Sequence, residues 1–201
     1  MAAVLVQPDG ATIDSVGLTA DCTLAGFPRL RGRRLSDAGV ASPVPTGPAG
    51  AAVAYRRRAW ERVGGLDDEI FMYGEDLELA VRLSTAGWET AFAADAVAVH
   101  HGSATSGRRS RLSRYHGGFS RGHVLRRYRI LRRRPAFRAA VPGVAVCLAD
   151  AVVSHHLATL RGHVSGWRAA GSAFRYPPPP RDATDGEIGF VRSLRLRRES
   201  R

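Results

Sequence analysis

Gly64-Gly65-Leu66-Asp67-Asp68-Glu69-Ile70-Phe71-Met72-Tyr73-Gly74-Glu75-Asp76-Leu77-Glu78-Leu79-Ala80-Val81-Arg82-Leu83 sets six carboxylates around an aromatic turn. From Gly74 onward the apolar residues take a helical period. Leu77 and Val81 share one face, Leu79, Leu83 and Ala86 an adjoining one, and Gly87 is a natural C-cap. Asp76 then falls in the first helical turn. Crowding of this kind raises some carboxylate pKa values and suits one of them to take a proton. Acids at a helix start also interact favourably with the helix dipole, worth ~0.3–1 kcal/mol each. That explanation accounts for neither the flanking Gly-Gly nor the paired aromatics.

Upstream, residues 2–6 read as a short buried strand and Pro8-Asp9-Gly10 as a turn. Ala11 to Leu35 has no sustained period and reads as mostly loop. The Pro- and Gly-rich run from Ser42 to Gly50 excludes regular helix and leads into Ala51 to Tyr55, a plausible buried strand. Arg57 to Val63 suits a short helix closed by Gly64-Gly65. Downstream, Thr90 to Phe92 and Val97 to His100 look like two short strands separated by the turn Ala93-Ala94-Asp95. His100 thus emerges at a strand end, where α/β enzymes place chemistry.

Beyond Gly107 the composition changes. Residues 1–107 hold 9 Arg against 13 Asp and Glu, whereas 108–201 hold 21 Arg against 5. A helix is expected from about His123 to Arg133, then an apolar helix broken near Pro142 and reaching about Leu160, then a short one over Gly162 to Phe174. Pro177 to Pro180 is stiff punctuation, and Arg181 to Arg201 reads as a charged, poorly ordered tail. The expected organisation is a catalytic half over 1–107, basic amphipathic and apolar helices over 108–176, and a tail over 177–201.

Cys22 and Cys147 support neither a disulfide framework nor a four-ligand zinc site. The N-terminus has no signal-peptide pattern and Ala139 to Val153 is too short to span a bilayer, so the expected location is cytoplasmic. The basic half fits a solvated helix, an anionic membrane surface or nucleic acid. Leu112, Phe119, Leu125, Tyr128, Ile130, Leu131 and Phe137, interleaved with the arginines, favour the membrane. No nucleic-acid motif is present, and none is expected as a partner.

The central stretch resembles the acceptor-side signature of family 2 glycosyltransferases, particularly their rhamnosyltransferase-like branch. The matching pieces are Gly50-Ala51-Ala52, Arg56-Arg57, Gly64-Gly65-Leu66-Asp67-Asp68, Tyr73-Gly74-Glu75-Asp76-Leu77-Glu78-Leu79, Arg82, Gly87-Trp88, and Ala96 to Ser103. Leu66 stands where the family usually has Phe, and Glu78 where it usually has Asp. The resemblance implies an α/β fold, a partial GT-A domain followed by a basic, mostly helical extension, and transfer of a rhamnose-like sugar with inversion. It implies Asp76 as general base, Glu75 as its positioning partner, and Asp67, Asp68, Tyr73, Arg82 and Trp88 as substrate-binding residues. His100 would face a divalent metal, Mn or Mg, and the diphosphate of a nucleotide-sugar donor. The acceptor would be a glycan or a polyprenyl-linked saccharide at the inner face of the cell membrane. The Asp-x-Asp motif and the nucleotide-binding half of the family have no counterpart here, so a truncated enzyme is expected, with an inert, membrane-associated or interaction protein as the alternative. Oligomeric state has no sequence signal.

Overall fold

The structure is a computed structural model and describes residues 1–40, 45–102, 107, 110–132, 136–171, 176–180 and 183–199. Its centre is a three-stranded sheet in the order β2-β1-β5, where β1 is Ala2–Val6, β2 is Ile13–Ser15 and β5 is Phe92–Val99. β1 pairs antiparallel with β2 and parallel with β5. Being the middle strand and covered on both faces, β1 is a continuous apolar run. Val4, Val6, Ile13, Val16 and Ala38 form the core beneath it.

Strand β5 replaces the two expected strands. Its pairing steps from Ala3↔Ala93 to Val4↔Val97, so residues 94–96 bulge out of a ladder that resumes on the far side. The expected turn is this irregularity. A second correction lies in 11–35, where β3 (Leu18–Ala20) and β4 (Gly26–Pro28) form an antiparallel pair. Asp21 closes it, its Oδ1 accepting from the Thr23 and Ala25 amides and the Thr23 hydroxyl. The segment 51–55 makes only an isolated bridge, Val53 to Ala2, and is not a buried strand. The Met1 ammonium instead donates to the Ala54 carbonyl at 2.6 Å.

Helices α1 (Arg57–Val63) and α2 (Glu75–Thr85) fall where the sequence places them, α1 ending on Gly64 at φ 80°. Helix α3 (Arg111–Arg127) starts well before His123, with the Ser110 side chain capping it by accepting from the Ser113 amide. Its glycines are packing surface. A Cβ on Gly122 would stand 2.0 Å from the His163 carbonyl oxygen, and one on Gly166 1.9 Å from that of Phe119. Gly118 and Gly162 are equally tight against Thr159 and Tyr115. The backbones of α3 and α5 (Ala158–Ala169) therefore touch along a reciprocal glycine seam.

Helix α4 (Ala136–Ser154) runs through Pro142 and stops at Ser154, short of Leu160. The tail is also more structured than expected. Helix α6 (Phe190–Glu199) docks through Leu196, with Ile188 just before the helix, against Ala25 and Phe27, and the Ser193 hydroxyl donates to Asp21 at 2.6 Å. The charge step at 107 does not separate cores either. Leu24 and Val81 pack with Val124, Leu125, Tyr128 and Ile130 in one buried cluster. Among the described residues no helix is long and apolar enough to cross a membrane.

Candidate functional site

The site is built at the N-terminal end of α2. Tyr73 at φ 64° and Gly74 at φ 101° are two successive left-handed residues that turn the chain into the helix. Glu75 and Asp76 are therefore its first two residues, and no side chain caps them. The run 45–50 crosses α2 at very short range, since a Cβ on Gly47 would lie 2.2 Å from that of Ala80. This close crossing delivers the Gly50 amide to Asp76 Oδ2 at 3.0 Å, while Asp76 Oδ1 accepts from the Leu77 amide at 2.7 Å. The glycines and prolines there thus serve the carboxylate.

Burial pushes the Asp76 carboxyl above its ordinary pKa, against the opposing pull of the Gly50, Leu77 and Asp76 amides. Glu75 is also pushed up, by burial and then by the charge of Asp76. Its Oε2 is buried without a hydrogen-bond partner among the described residues. Tyr55, which sequence reading did not single out, joins this pair. Burial and the two carboxylates push its phenol up to about 12, so it stands as a neutral hydroxyl beside them.

Asp67 belongs to a different kind of environment. Its Oδ2 lies 3.2 Å from His123 Nε2 and 3.3 Å from Arg127 Nη2, and its Oδ1 accepts from the Glu69 amide. Burial raises its pKa, but His123, the Glu69 amide and Arg127 together outweigh burial and hold it at about 2. His123, fully buried on α3, also has Nδ1 3.3 Å from Glu69. Asp67, Glu69 and His123 form a group whose donor atoms lie within 4.8 Å of one another, a spacing that suits a divalent ion. The donors are already engaged, however: one Asp67 oxygen meets both His123 Nε2 and the Arg127 guanidinium. The group reads as an ion-pair hub tying α3 to the 67–74 turn.

The remaining candidates are spread out. Arg82 is buried and turned away from the open side, its Nη2 2.7 Å from Glu78 and its Nη1 donating to the Val63 carbonyl. Tyr128 donates to the same Glu78. The Arg82 guanidinium thus lies among Glu78, the Val63 carbonyl and the Tyr176 ring. Trp88 packs beside Ala59, Leu79 and Leu83. Asp68 is exposed and Tyr73 half-buried. His100 stands apart from Asp76 at the end of β5, its Nδ1 2.8 Å from Asp14, whose other oxygen pairs with Arg31 at 3.2 Å. Ser103, the end of the matched strand motif, lies outside the described residues.

A family model described as glycosyl transferase family group 2 matches residues 32–176. The chain is also 39% identical over 70 residues to the N-acetylglucosaminyl-diphospho-decaprenol L-rhamnosyltransferases of two Mycobacterium tuberculosis strains. That match covers 34% of this chain and 23% of each relative. No solved structure matches the chain.

Proposed function

The chain belongs to glycosyl transferase family group 2, and from that premise we propose that it forms the acceptor-side part of an inverting glycosyltransferase in which Asp76 is the general base. In this reading an acceptor hydroxyl attacks the anomeric carbon of a nucleotide sugar. The new C–O bond forms as the bond to the diphosphate breaks, and the hydroxyl proton passes to the Asp76 carboxylate. The observation that carries it is the setting of Asp76: a buried carboxylate with a raised pKa, held by backbone amides and, among the described residues, by no cation. A raised pKa makes the carboxylate a stronger proton acceptor at neutral pH. Glu75 keeps a second charge beside it, and the Tyr55 hydroxyl offers a neutral donor.

Asp68 and Tyr73 are the residues proposed to meet the acceptor, and Asp67 shapes the turn that carries them. Arg82 and Trp88 support α2 from beneath. A divalent cation, Mn or Mg, supplies charge to the departing diphosphate when bound, and His100 with Asp14 is the pair proposed to face it. Those two donors are fewer than either ion coordinates, so further ligands come from substrate, water and other residues. By analogy with the relatives' name, the sugar is a deoxyhexose such as L-rhamnose and the acceptor a glycan or polyprenyl-diphosphate-linked saccharide. The place of action is then the cytoplasmic face of the cell membrane.

The test is transfer from a nucleotide-activated rhamnose to a polyprenyl-diphosphate-linked N-acetylglucosamine in the presence of Mn²⁺ or Mg²⁺. The chain is assayed alone and together with the donor-binding part of a relative. Transfer that disappears in Asp76→Asn is the expected result. A variant that keeps the parent rate removes Asp76 from the role, and no transfer in either arrangement favours the inert alternative.

A further inference from the structure

Helix α4 carries an apolar face that the described chain leaves exposed. Val141, Val144, Leu148 and Val152 recur at three- and four-residue spacing and are 54, 59, 63 and 72% exposed. Ala145 and Ala149 fill the same face, and Phe137 extends it toward Phe190 of α6, whose ring lies 6.1 Å away. At 1.5 Å per residue, 137 to 153 spans roughly 24 Å. The one acid of α4, Asp150, is buried and turned inward to Arg114 of α3 and Thr159 of α5. In the sequence Arg138 bounds this face on its N-terminal side, and an uncharged face from Val141 to Val152 marks contact with another phase or molecule.

The surrounding charge identifies which. From Arg111 to Arg181 the chain holds 14 Arg and one acid, Asp150. Exposed Arg129 and Arg132 lie in and beside the 3-10 turn 130–132 that packs at α4, and Arg161 and Arg168 are exposed on α5. A second copy of the chain would bring these arginines together with their like. An anionic lipid surface complements them, and it accepts the apolar face between its acyl chains. Since no described helix is long and apolar enough to cross a bilayer, α4 lies in the plane of the interface.

The geometry points to α4 as a monotopic anchor whose Val141–Val152 face enters an anionic bilayer while the flanking arginines hold the lipid phosphates. This rests on the membrane-facing part of the proposed function and is independent of the Asp76 chemistry. Flotation of the full chain with vesicles of phosphatidylglycerol and phosphatidylcholine tests it, with pure phosphatidylcholine as the comparison. The parent chain is expected to float with the anionic vesicles. The double variant Leu148→Asp, Val152→Asp loses at least about tenfold in partitioning, and Leu148→Phe retains it. Both positions are exposed, and an unchanged circular dichroism spectrum checks that the fold is kept. As a second reading, Val144→Trp is expected to be quenched by brominated acyl chains on anionic vesicles. Equal partitioning of parent and double variant overturns the proposal, as does absence of binding by the parent. A lipid-independent dimer that Leu148→Asp dissolves gives the face to a second copy and also overturns it. Asp76→Asn is expected to float like the parent, so loss of transfer and loss of membrane binding are separate outcomes.

Discussion

Asp67 and Asp76 stand on the same acidic stretch, and burial acts on both, yet their surroundings drive them apart. The turn that holds Asp67 receives His123 and Arg127 from α3, and its carboxyl falls to about 2. Among the described residues the start of α2 receives only backbone amides, and the Asp76 carboxyl rises. A carboxylate given a cation is committed to holding the fold together. One given amides alone keeps its capacity to take a proton. The same division separates Glu78, locked to buried Arg82, from Glu75, whose Oε2 has no hydrogen-bond partner among the described residues.

The most severe way to break this contrast is at Asp76. Asp76→Asn is expected to lower transfer by on the order of 10³-fold while moving the thermal midpoint little, because removing a buried charge offsets the loss of one of the two oxygens that accept from the Gly50 and Leu77 amides. Steady-state transfer and a melting curve read the two effects. Next in size, Asp67→Asn leaves buried His123 and Arg127 facing a neutral amide, which costs about 3 kcal/mol of stability in a urea titration. A midpoint unchanged by this substitution would deny Asp67 its structural part.

The acid limb of stability sharpens the comparison further. With its folded pKa near 2 and an ordinary value of 3.8, Asp67 gives its full stabilisation above about pH 4 and loses it as pH falls toward 2. Glu75 and Asp76 have raised folded values, so protonating them favours the folded chain and partly offsets that loss. Unfolding free energies from urea titrations at pH 7 and pH 2 are expected to drop by roughly 2 kcal/mol more in the parent than in Asp67→Asn. The smallest effect is at Glu75. Glu75→Gln replaces a buried carboxylate by a neutral group of the same shape and raises stability at pH 7 by about 1 kcal/mol or less, a change that a destabilised variant would contradict.

Much of the α2 side of this contrast was legible in the residues themselves. A helical period, a glycine before it and another after it bound α2, and its first turn then holds Glu75 and Asp76. The partners that give each acid its character were not legible, because they come from elsewhere in the chain: Gly50 lies 26 residues before Asp76, and His123 lies 56 after Asp67. The four-residue spacing of Glu78 and Arg82 was visible, but nothing local shows that both are buried. In α3, Gly117, Gly118 and Gly122 weaken any local helix signal, and two of the three face a second backbone that the sequence does not show. Strands β3 and β4 have three residues each, too few to show a period. Helix α6 reads as a charged tail until Ile188 and Ser193 find their places against β4 and Asp21.

The glycine seam between α3 and α5 has a mechanical consequence. With backbone resting on backbone at four notches, the pair has neither slack to compress nor side chains to repack, so it does not slide. One end of this strut holds α4 through Asp150, and along it His123 and Arg127 grip the turn before Asp76. Whatever α4 rests upon, the height of the carboxylate above it is set by the length of that strut, as a gauge sets the reach of a tool.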